Sequence, residues 1–450
     1  MEYRSKLEHP ISLRWLLLFA LPTIASSIFA NLYSTVDGIF VARWVNTDAL
    51  SAINITMPLI YVASALGMMF GSGGNALVAR KIGEGRQKEA REDFSLLMAV
   101  AFVFSVLLAV LSFAFLDPLC RFLGSDAALL PYCRAYMLPV LISLPFSVFG
   151  MVFQLSFITV GKAKLGALLS VLGGVTNIVL DWLFMAVFQW GLTGAAIATS
   201  IGYAVPSVVG TIWFFTHRNQ SLYIVRPRWN AKTLIDSCIN GSSEMVGVLA
   251  FSVVSILFNN ILMNLGGSDG VASLTIIWYA QGLFGGLFRG YVNGISSVVS
   301  YNLGRADKER LCKLFRISIG TLGAVSVLVT AISYLLCGTV VHFFAKGNQN
   351  VAAIALHGFR IVAVSFFMLA FNTFASGWFT ALNDGKTSAI LSFCRTIVFL
   401  VVPVLILPRL LALDGVWLSL VLGELLSLVM AIYYFRKFRG VWNPARKENA

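Results

Sequence analysis

The chain has 450 residues, of which 58% are hydrophobic and 12% are charged, and its formal net charge is +13. Soluble domains carry about 25% charged residues, and apolar surface on this scale cannot be hidden in one soluble core of this length. The composition excludes a soluble enzyme, a disordered chain and a secreted disulfide scaffold. It does not indicate nucleic-acid binding either, because Lys and Arg lie in short segments between apolar runs, as in membrane proteins that follow the positive-inside rule.

The apolar runs predict an all-α membrane protein with twelve spans. A helix needs about 20 apolar residues to cross a bilayer, and clusters of charged residues, Gly, Pro and Asn mark the breaks between such helices. In chain order the predicted spans cover residues 12–36, 49–79, 93–116, 129–160, 166–188, 193–216, 233–264, 271–302, 314–344, 351–381, 387–408 and 415–436.

Basic residues are concentrated on one side of this topology. The segments on the side of the two termini hold 25 of the 33 Lys and Arg residues, whereas the loops on the opposite side hold five. Because positively charged loops stay in the cytoplasm, both termini are predicted to be cytoplasmic.

The second half of the chain repeats the first with an offset of about 221 residues. TDALSAINI (47–55) aligns with SDGVASLTI (268–276), and Gly83 aligns with Gly304. Each repeat contains six spans, so the halves run in the same direction, an arrangement that places a transport site in the cleft between two lobes. A channel is disfavoured because no filter-like polar repeat is present. The predicted divisions are a first lobe over 1–216, a flexible cytoplasmic connector over 217–232, a second lobe over 233–436 and a cytoplasmic tail over 437–450.

Four acidic residues fall inside the predicted spans, namely Asp37, Asp181, Glu244 and Glu424. An ionised side chain in hydrocarbon costs about 2.5–3.5 kcal/mol on insertion scales, so such residues usually line a wet cavity. Asn177 lies one helical turn before Asp181 and therefore on the same face. A purely structural hydrogen-bonding role is the alternative for each acid.

The first span, ALPTIASSIFANLYSTVDGIFVAR, resembles that of multidrug and toxic compound extrusion (MATE) transporters, as do TNIVLD (176–181) and GAAIATSIG (194–202). The resemblance covers almost the whole chain and looks closest to the bacterial branch that includes drug and sodium/proton antiporters. It implies twelve transmembrane helices in two six-helix lobes related by pseudo-twofold symmetry.

The resemblance also implies a cation site in the first lobe. The family's membrane aspartate of span one falls on Asp37, its span-five asparagine and aspartate fall on Asn177 and Asp181, and its span-six threonine falls on Thr199. Oxygen ligands of this kind suit Na+, and paired carboxylates suit a proton. Gln154 in span four is a further candidate for the same pocket.

Residues of the substrate cleft are harder to single out, because aromatic residues make up 13% of the chain and most of them pack against lipid or core. Aromatic faces attract cations, which is the reason for including two tyrosines. Arg289 either pairs with an acid in the cleft or snorkels to the membrane surface, and Arg395 is expected to snorkel to the membrane surface. The candidates are Tyr33, Gln154, Glu244, Tyr279 and Arg289.

The function that follows is secondary active efflux in the inner (cytoplasmic) membrane, with amphipathic cationic compounds exported in exchange for H+ or Na+. The partners are then the small-molecule substrate and the lipid bilayer, with no nucleic acid; we expect a monomer and no cofactor besides the coupling ion. The alternative is a flippase for a lipid-linked precursor, a use made of the same superfamily. An enzyme is disfavoured because the sequence has no Ser/His/Asp constellation, HExxH or paired GxGD motif.

Overall fold

The computed structural model describes residues 9–45, 47–345 and 348–443, without the side chains of residues 34–39, 41–43, 47, 48, 50 and 51. Within these residues the chain is helical and contains no strand. The first six membrane helices are α1 (Leu13–Trp44), α2 (Thr47–Met68, continued by a π-helical turn Met69–Gly74 and by Asn75–Gly83), α3 (Gln87–Ala114), α4 (Leu130–Thr159), α5 (Ala163–Asp181, continued by Trp182–Val187) and α6 (Gly191–Thr216).

The second set of helices follows after a connector. They are α7 (231–266) and α8 (268–304) in the run Ala231–Gly304, α9 (Lys308–Ala345), α10 (Gln349–Val362 and Ser365–Ala381), α11 (Gly385–Phe393, Cys394–Val398 and 399–411) and α12 (413–437) in the run ending at Lys437. Short helices Leu116–Phe122 and Arg439–Val441 lie outside these spans.

The predicted number of twelve spans is confirmed. Nine described helices are long and apolar enough to cross a membrane, and the two parts of α10, bent by 54°, make a tenth. Two of these ten helical segments each contain two spans, because the backbone reverses direction at Gly267 (φ 59°) in one and at Ala412 (φ 47°) in the other. The total is therefore twelve spans. The reversals replace the longer loops that the sequence predicted at these points.

Each half of the chain forms its own helix bundle. In the first half α4 packs against α2, α3, α5 and α6, and α1 packs against α5. In the second half α10 packs against α9, α11, α12 and the α7–α8 run. The two bundles meet where α1 and α2 pack against the α7–α8 run, which gives the expected two-lobe architecture.

Two glycine contacts at this meeting point are related by the sequence repeat. A Cβ atom on Gly83 would lie 2.1 Å from the carbonyl oxygen of Tyr301, and one on Gly304 would lie 2.1 Å from the carbonyl oxygen of Arg80. The offset of 221 exchanges Gly83 with Gly304 and Arg80 with Tyr301. The lobes therefore make one contact twice, as a pseudo-twofold axis requires.

The turns of the two lobes repeat as well. Gly85 has φ 83° and Ala306, 221 positions later, has φ 55°; Gly191 has φ 59° and Ala412, again 221 positions later, has φ 47°. An alanine with positive φ is strained, so the second lobe has kept the backbone of these turns without keeping the glycines.

Hydrogen bonds join the lobes at the end where the chain begins and ends. Thr159 of α4 and Ser297 of α8 share a bond of 2.9 Å between their hydroxyls, and Asn240 of α7 donates to the carbonyl oxygen of Gly73 at 3.4 Å. These bonds, with the glycine contacts, close the space between the lobes at that end.

The connector, residues 217–230, is docked on α3 rather than loose. Arg91 of α3 donates to the carbonyl oxygen of Ser221 at 2.9 Å and to the hydroxyl of Tyr223 at 3.0 Å, and its guanidinium lies 4.3 Å from the Tyr223 ring centre. Leu222 between them is fully buried. These contacts hold the connector in place in this conformation, and its flexibility during transport stays a prediction.

Candidate functional site

A buried carboxylate–amide pair lies on α5 in the first lobe. Asn177 donates its side-chain N–H to a carboxylate oxygen of Asp181 at 3.0 Å, and the two residues are 3% and 0% exposed. The two residues are one helical turn apart, and this spacing is the reason that the sequence predicted them to lie on the same face of the helix. Thr199 on the adjacent α6 has a buried hydroxyl oxygen with no hydrogen-bond partner among the described atoms.

The N-terminal helix passes close to this pair. A Cβ atom on Gly174 of α5 would lie 2.6 Å from the Phe29 ring and 3.1 Å from the Tyr33 ring of α1. Asp181 lies two turns further along α5, and position 37 lies one turn further along α1, which runs in the same direction. The backbone thus carries Asp37 toward the level of Asp181, although the Asp37 side chain lies outside the described residues.

Gln154 is not part of this pocket. It donates to the Ser26 hydroxyl of α1 at 3.2 Å, and it lies five residues before the end of α4, roughly 8 Å along the axis. Asp181 lies 18 residues from the start of α5, roughly 27 Å along the axis from the same side of the protein. The two residues are therefore at different depths, and the prediction that they share a site is wrong.

The second lobe contains an ion pair that the sequence analysis missed. Arg395 of α11 donates to one carboxylate oxygen of Glu424 of α12 at 2.8 Å. Asn372 of α10 donates to the other carboxylate oxygen at 2.6 Å and to the Glu424 carbonyl oxygen at 2.8 Å. The pair binds three helices together, and the expectation that Arg395 extends to the membrane surface is wrong.

Glu244 and Arg289 lie on two successive helices of the second lobe, α7 and α8. Arg289 is exposed although its neighbours Phe288 and Gly290 are buried. Neither Glu244 nor Arg289 makes a salt bridge with any side chain that the structure describes, and Arg395 is paired with Glu424 instead. Glu244 and Arg289 lie roughly 20 Å and 22 Å along their helices from the side of the termini. Similar depth alone does not decide between the two alternatives for Arg289, so pairing with an acid and snorkelling to the membrane surface both stay predictions.

The two tyrosines named from the sequence lie in different places. Tyr33 lies between α1 and α5, with its ring centre 6.0 Å from that of Phe29. Tyr279 is 46% exposed and stacks on Phe344 of α9 with ring centres 5.5 Å apart. The five cleft candidates therefore do not form one described cluster: Tyr33 and Gln154 contact helices of the first lobe, Tyr279 contacts α9, and Glu244 and Arg289 lie at similar depths on α7 and α8.

No group of three or more His, Cys, Asp or Glu side chains that could hold a metal ion occurs among the residues whose side chains are described. The first-lobe site instead combines carboxylate, amide and hydroxyl oxygens, which is a donor set that hard cations accept.

Comparison with known proteins identifies the family. The model of the MatE family matches residues 22–183 and residues 245–405, two ranges whose starts are 223 positions apart. The chain belongs to the MatE family.

The relatives of this MatE protein match it over nearly its whole length. Multidrug export protein MepA of Staphylococcus haemolyticus is 23% identical over 431 residues, which cover 94% of this chain and 92% of that protein. MepA of Staphylococcus aureus is 22% identical over 424 residues, covering 92% and 91%. A structure of a multidrug resistance MATE family transporter of the MOP superfamily, in an outward-facing conformation, superposes with a TM-score of 0.91 at 23% identity and covers 98% of this chain and 99% of that chain. The all-α, two-lobe fold expected from the sequence is that of its family.

Proposed function

We propose that this MatE protein exports amphipathic, cationic compounds in exchange for H+ or Na+, by alternating access of its two lobes. Relatives named for multidrug export support the export of drugs. The observation that carries the exchange is the fully buried Asn177–Asp181 pair beside the unpartnered Thr199 hydroxyl. A carboxylate at this depth is costly unless a proton or a cation neutralises it.

Coupling follows if neutralising this site changes the packing of the first lobe. In this proposal Asp37 and Asp181 form one site, which takes up a cation because two negative charges in a poorly solvated pocket repel each other. Once they are neutral, α1, α5 and α6 can pack more closely, and Pro22 gives α1 a place to bend. The substrate is then expelled, and by reciprocity a bound substrate weakens cation binding.

The orientation in the membrane is part of the proposal. The excess of Lys and Arg on the side of the termini supports cytoplasmic termini. The end closed by the Thr159–Ser297 bond is then the cytoplasmic end, so this conformation is closed to the cytoplasm. The proposed divisions of the chain are the first lobe 1–216, the cytoplasmic connector 217–232, the second lobe 233–436 and the cytoplasmic tail 437–450.

Transport in everted membrane vesicles tests the proposal. A pH gradient and a Na+ gradient are imposed across the vesicle membrane in separate experiments. Ethidium should accumulate in the vesicles only under the gradient of the coupling ion. Asp181→Asn should abolish that accumulation, whereas wild-type vesicles without a gradient give the baseline. Equal ethidium transport with and without either gradient would overturn the exchange mechanism.

A flippase for a lipid-linked precursor is the second candidate, and Arg289 is the observation that favours it. This arginine is exposed in the middle of α8 and could hold a phosphate group. Reconstituted protein that moves a fluorescent polyprenyl phosphate lipid between leaflets, and does not move ethidium, would favour this candidate over drug export.

A further inference from the structure

A groove on the second lobe lies away from the proposed cation site of the first lobe and away from Glu244 and Arg289. It has a volume of about 500 Å³ and runs between α9, α10 and α12 at the end where the chain terminates. Its walls are apolar and aromatic, formed by Phe315, Ile319, Phe367, Phe371, Leu428 and Ile432.

Three arginines line the same groove at the end that is nearest to the chain termini. Arg316, Arg436 and Arg439 are exposed and make no ion pair with any residue whose side chain the structure describes. Leu428 lies eight residues before Arg436 on α12, about 12 Å deeper along the axis. The hydrocarbon core of a bilayer is about 30 Å thick, so the apolar part of the groove extends through most of one leaflet.

The groove is built by the folded tail of the chain. Trp442 is 2% exposed and packs with ring centres 5.2 Å from Phe315 and 5.8 Å from Trp378. Lys308 of α9 donates to the carbonyl oxygen of Gly440 at 3.0 Å. These contacts fix the turn that carries Arg439 next to the groove.

The first lobe has no equivalent set of charges. At an offset of 221 residues, Arg436 corresponds to Phe215, Arg316 to Ser95, and Arg439 to Arg218. The positive-inside rule acts on both lobes alike, so it does not account for three arginines around one apolar groove in the second lobe only.

We propose that this groove binds an anionic phospholipid from the leaflet on the side of the chain termini. The lipid phosphate contacts Arg316, Arg436 and Arg439. A guanidinium group can donate two parallel hydrogen bonds to two oxygens of one phosphate. One acyl chain lies along the apolar wall toward Phe367 and Phe371. The positive charges match an anionic headgroup, and the deep apolar wall matches an acyl chain, which a soluble anion lacks. The proposal does not depend on the transport function.

Native mass spectrometry of the purified full chain in neutral detergent tests the headgroup contacts. Dioleoylphosphatidylglycerol should bind more tightly than dioleoylphosphatidylcholine, and the triple variant Arg316→Gln, Arg436→Gln, Arg439→Gln should lose about tenfold or more of this affinity. Arg218→Gln, the matched change in the first lobe, should leave it unchanged. Equal binding of the two lipids, or an unchanged affinity in the triple variant, would overturn the proposal.

A second measurement locates the acyl chain and does not rely on a variant. Phosphatidylglycerol with a diazirine in one acyl chain should, on illumination in nanodiscs, label the peptides that contain Phe367 and Phe371. Inorganic phosphate should not compete with this labelling. Competition by phosphate alone would mean that the arginines form an anion site without a lipid, and labelling confined to other helices would place the lipid elsewhere; either result overturns the proposal.

Discussion

Asp181 has no exposed surface, and one of its carboxylate oxygens accepts a hydrogen bond from Asn177. A carboxylate without exposed surface has lost its hydration, and a negative charge at this depth of a membrane helix is costly. On the proposed mechanism a proton or a cation removes that charge, so substituting Asp181 tests the mechanism directly.

We expect Asp181→Asn to remove gradient-driven efflux while expression and fold survive, because Asn is of similar size and uncharged. Asp37→Asn should have the same effect, and the double variant should be little worse than either single variant, since the proposed mechanism makes the two residues one site. Ethidium transport in everted vesicles measures the effect, and Glu244→Gln serves as the comparison with a smaller loss. Full drug resistance in cells carrying Asp37→Asn would contradict the first-lobe mechanism.

The Arg395–Glu424 pair predicts a loss of stability rather than of coupling. Glu424→Gln should destabilise the protein by about 3–5 kcal/mol, because removing one partner leaves a buried charge uncompensated. The melting temperature in detergent should fall, and the double variant Arg395→Met, Glu424→Leu should recover most of it. A double variant that is less stable than Glu424→Gln would show that the pair is not the source of the effect.

These two pairs show what the sequence could and could not predict about the sites. Asn177 and Asp181 are one turn apart on one helix, so helical geometry alone brings them together. Arg395 and Glu424 are on different helices, and their contact depends on how α11 and α12 are rotated about their axes, which composition and hydropathy do not specify. Gln154 was misplaced for the related reason that a span prediction gives little information about depth.

Among the elements, the helices were predicted more accurately than their connections. Twelve apolar runs gave twelve helices because every backbone polar group in a bilayer has to be bonded within its own segment. The 54° bend of α10 between Val362 and Ser365 could not be predicted, because the sequence has no proline at this point. The connector was expected to be loose because it is polar, but Arg91 satisfies its backbone carbonyls.

Arg91 makes three of the hydrogen bonds that dock the connector, and the Val225 N–H adds another by donating to the Ser95 hydroxyl at 2.9 Å. Arg91→Ala should raise the rate of tryptic cleavage after Arg228 by about tenfold, since local opening controls proteolysis. Lys88→Ala, an exposed position one turn earlier on α3, is the control and should not change the rate. Cleavage in everted vesicles but not in intact cells would also support cytoplasmic placement of the connector, whereas cleavage only from outside would contradict it.

At the scale of the whole molecule, the glycine contacts between the lobes predict a change in conformation. Gly83→Ala places a methyl group 2.1 Å from the Tyr301 carbonyl oxygen if nothing moves, so the lobes should separate at the end of the termini. Gly304→Ala should act in the same way because the contact is repeated. Spin labels on the two lobes should report a longer distance at this end in both variants.

Gly320→Ala is the matched control, because a Cβ atom at Gly320 meets nothing within 4 Å. It should leave the distance distribution between the lobes unchanged. If Gly83→Ala and Gly304→Ala also leave it unchanged, the glycine contacts do not hold the lobes together.

The repeated contact between Gly83 and Gly304 also has a consequence for the origin of the chain. Contacts that are exchanged by a twofold axis are isologous, the kind that two identical subunits make in a homodimer. A six-helix protein with both termini on one side could form such a parallel dimer, and fusing two copies would require only a link on that side, which is where residues 217–230 lie. The interface has the twofold geometry that such a dimer requires, while Asp181 and Glu424, which correspond to Val402 and Tyr203 in the other half, show that the two halves have diverged in sequence.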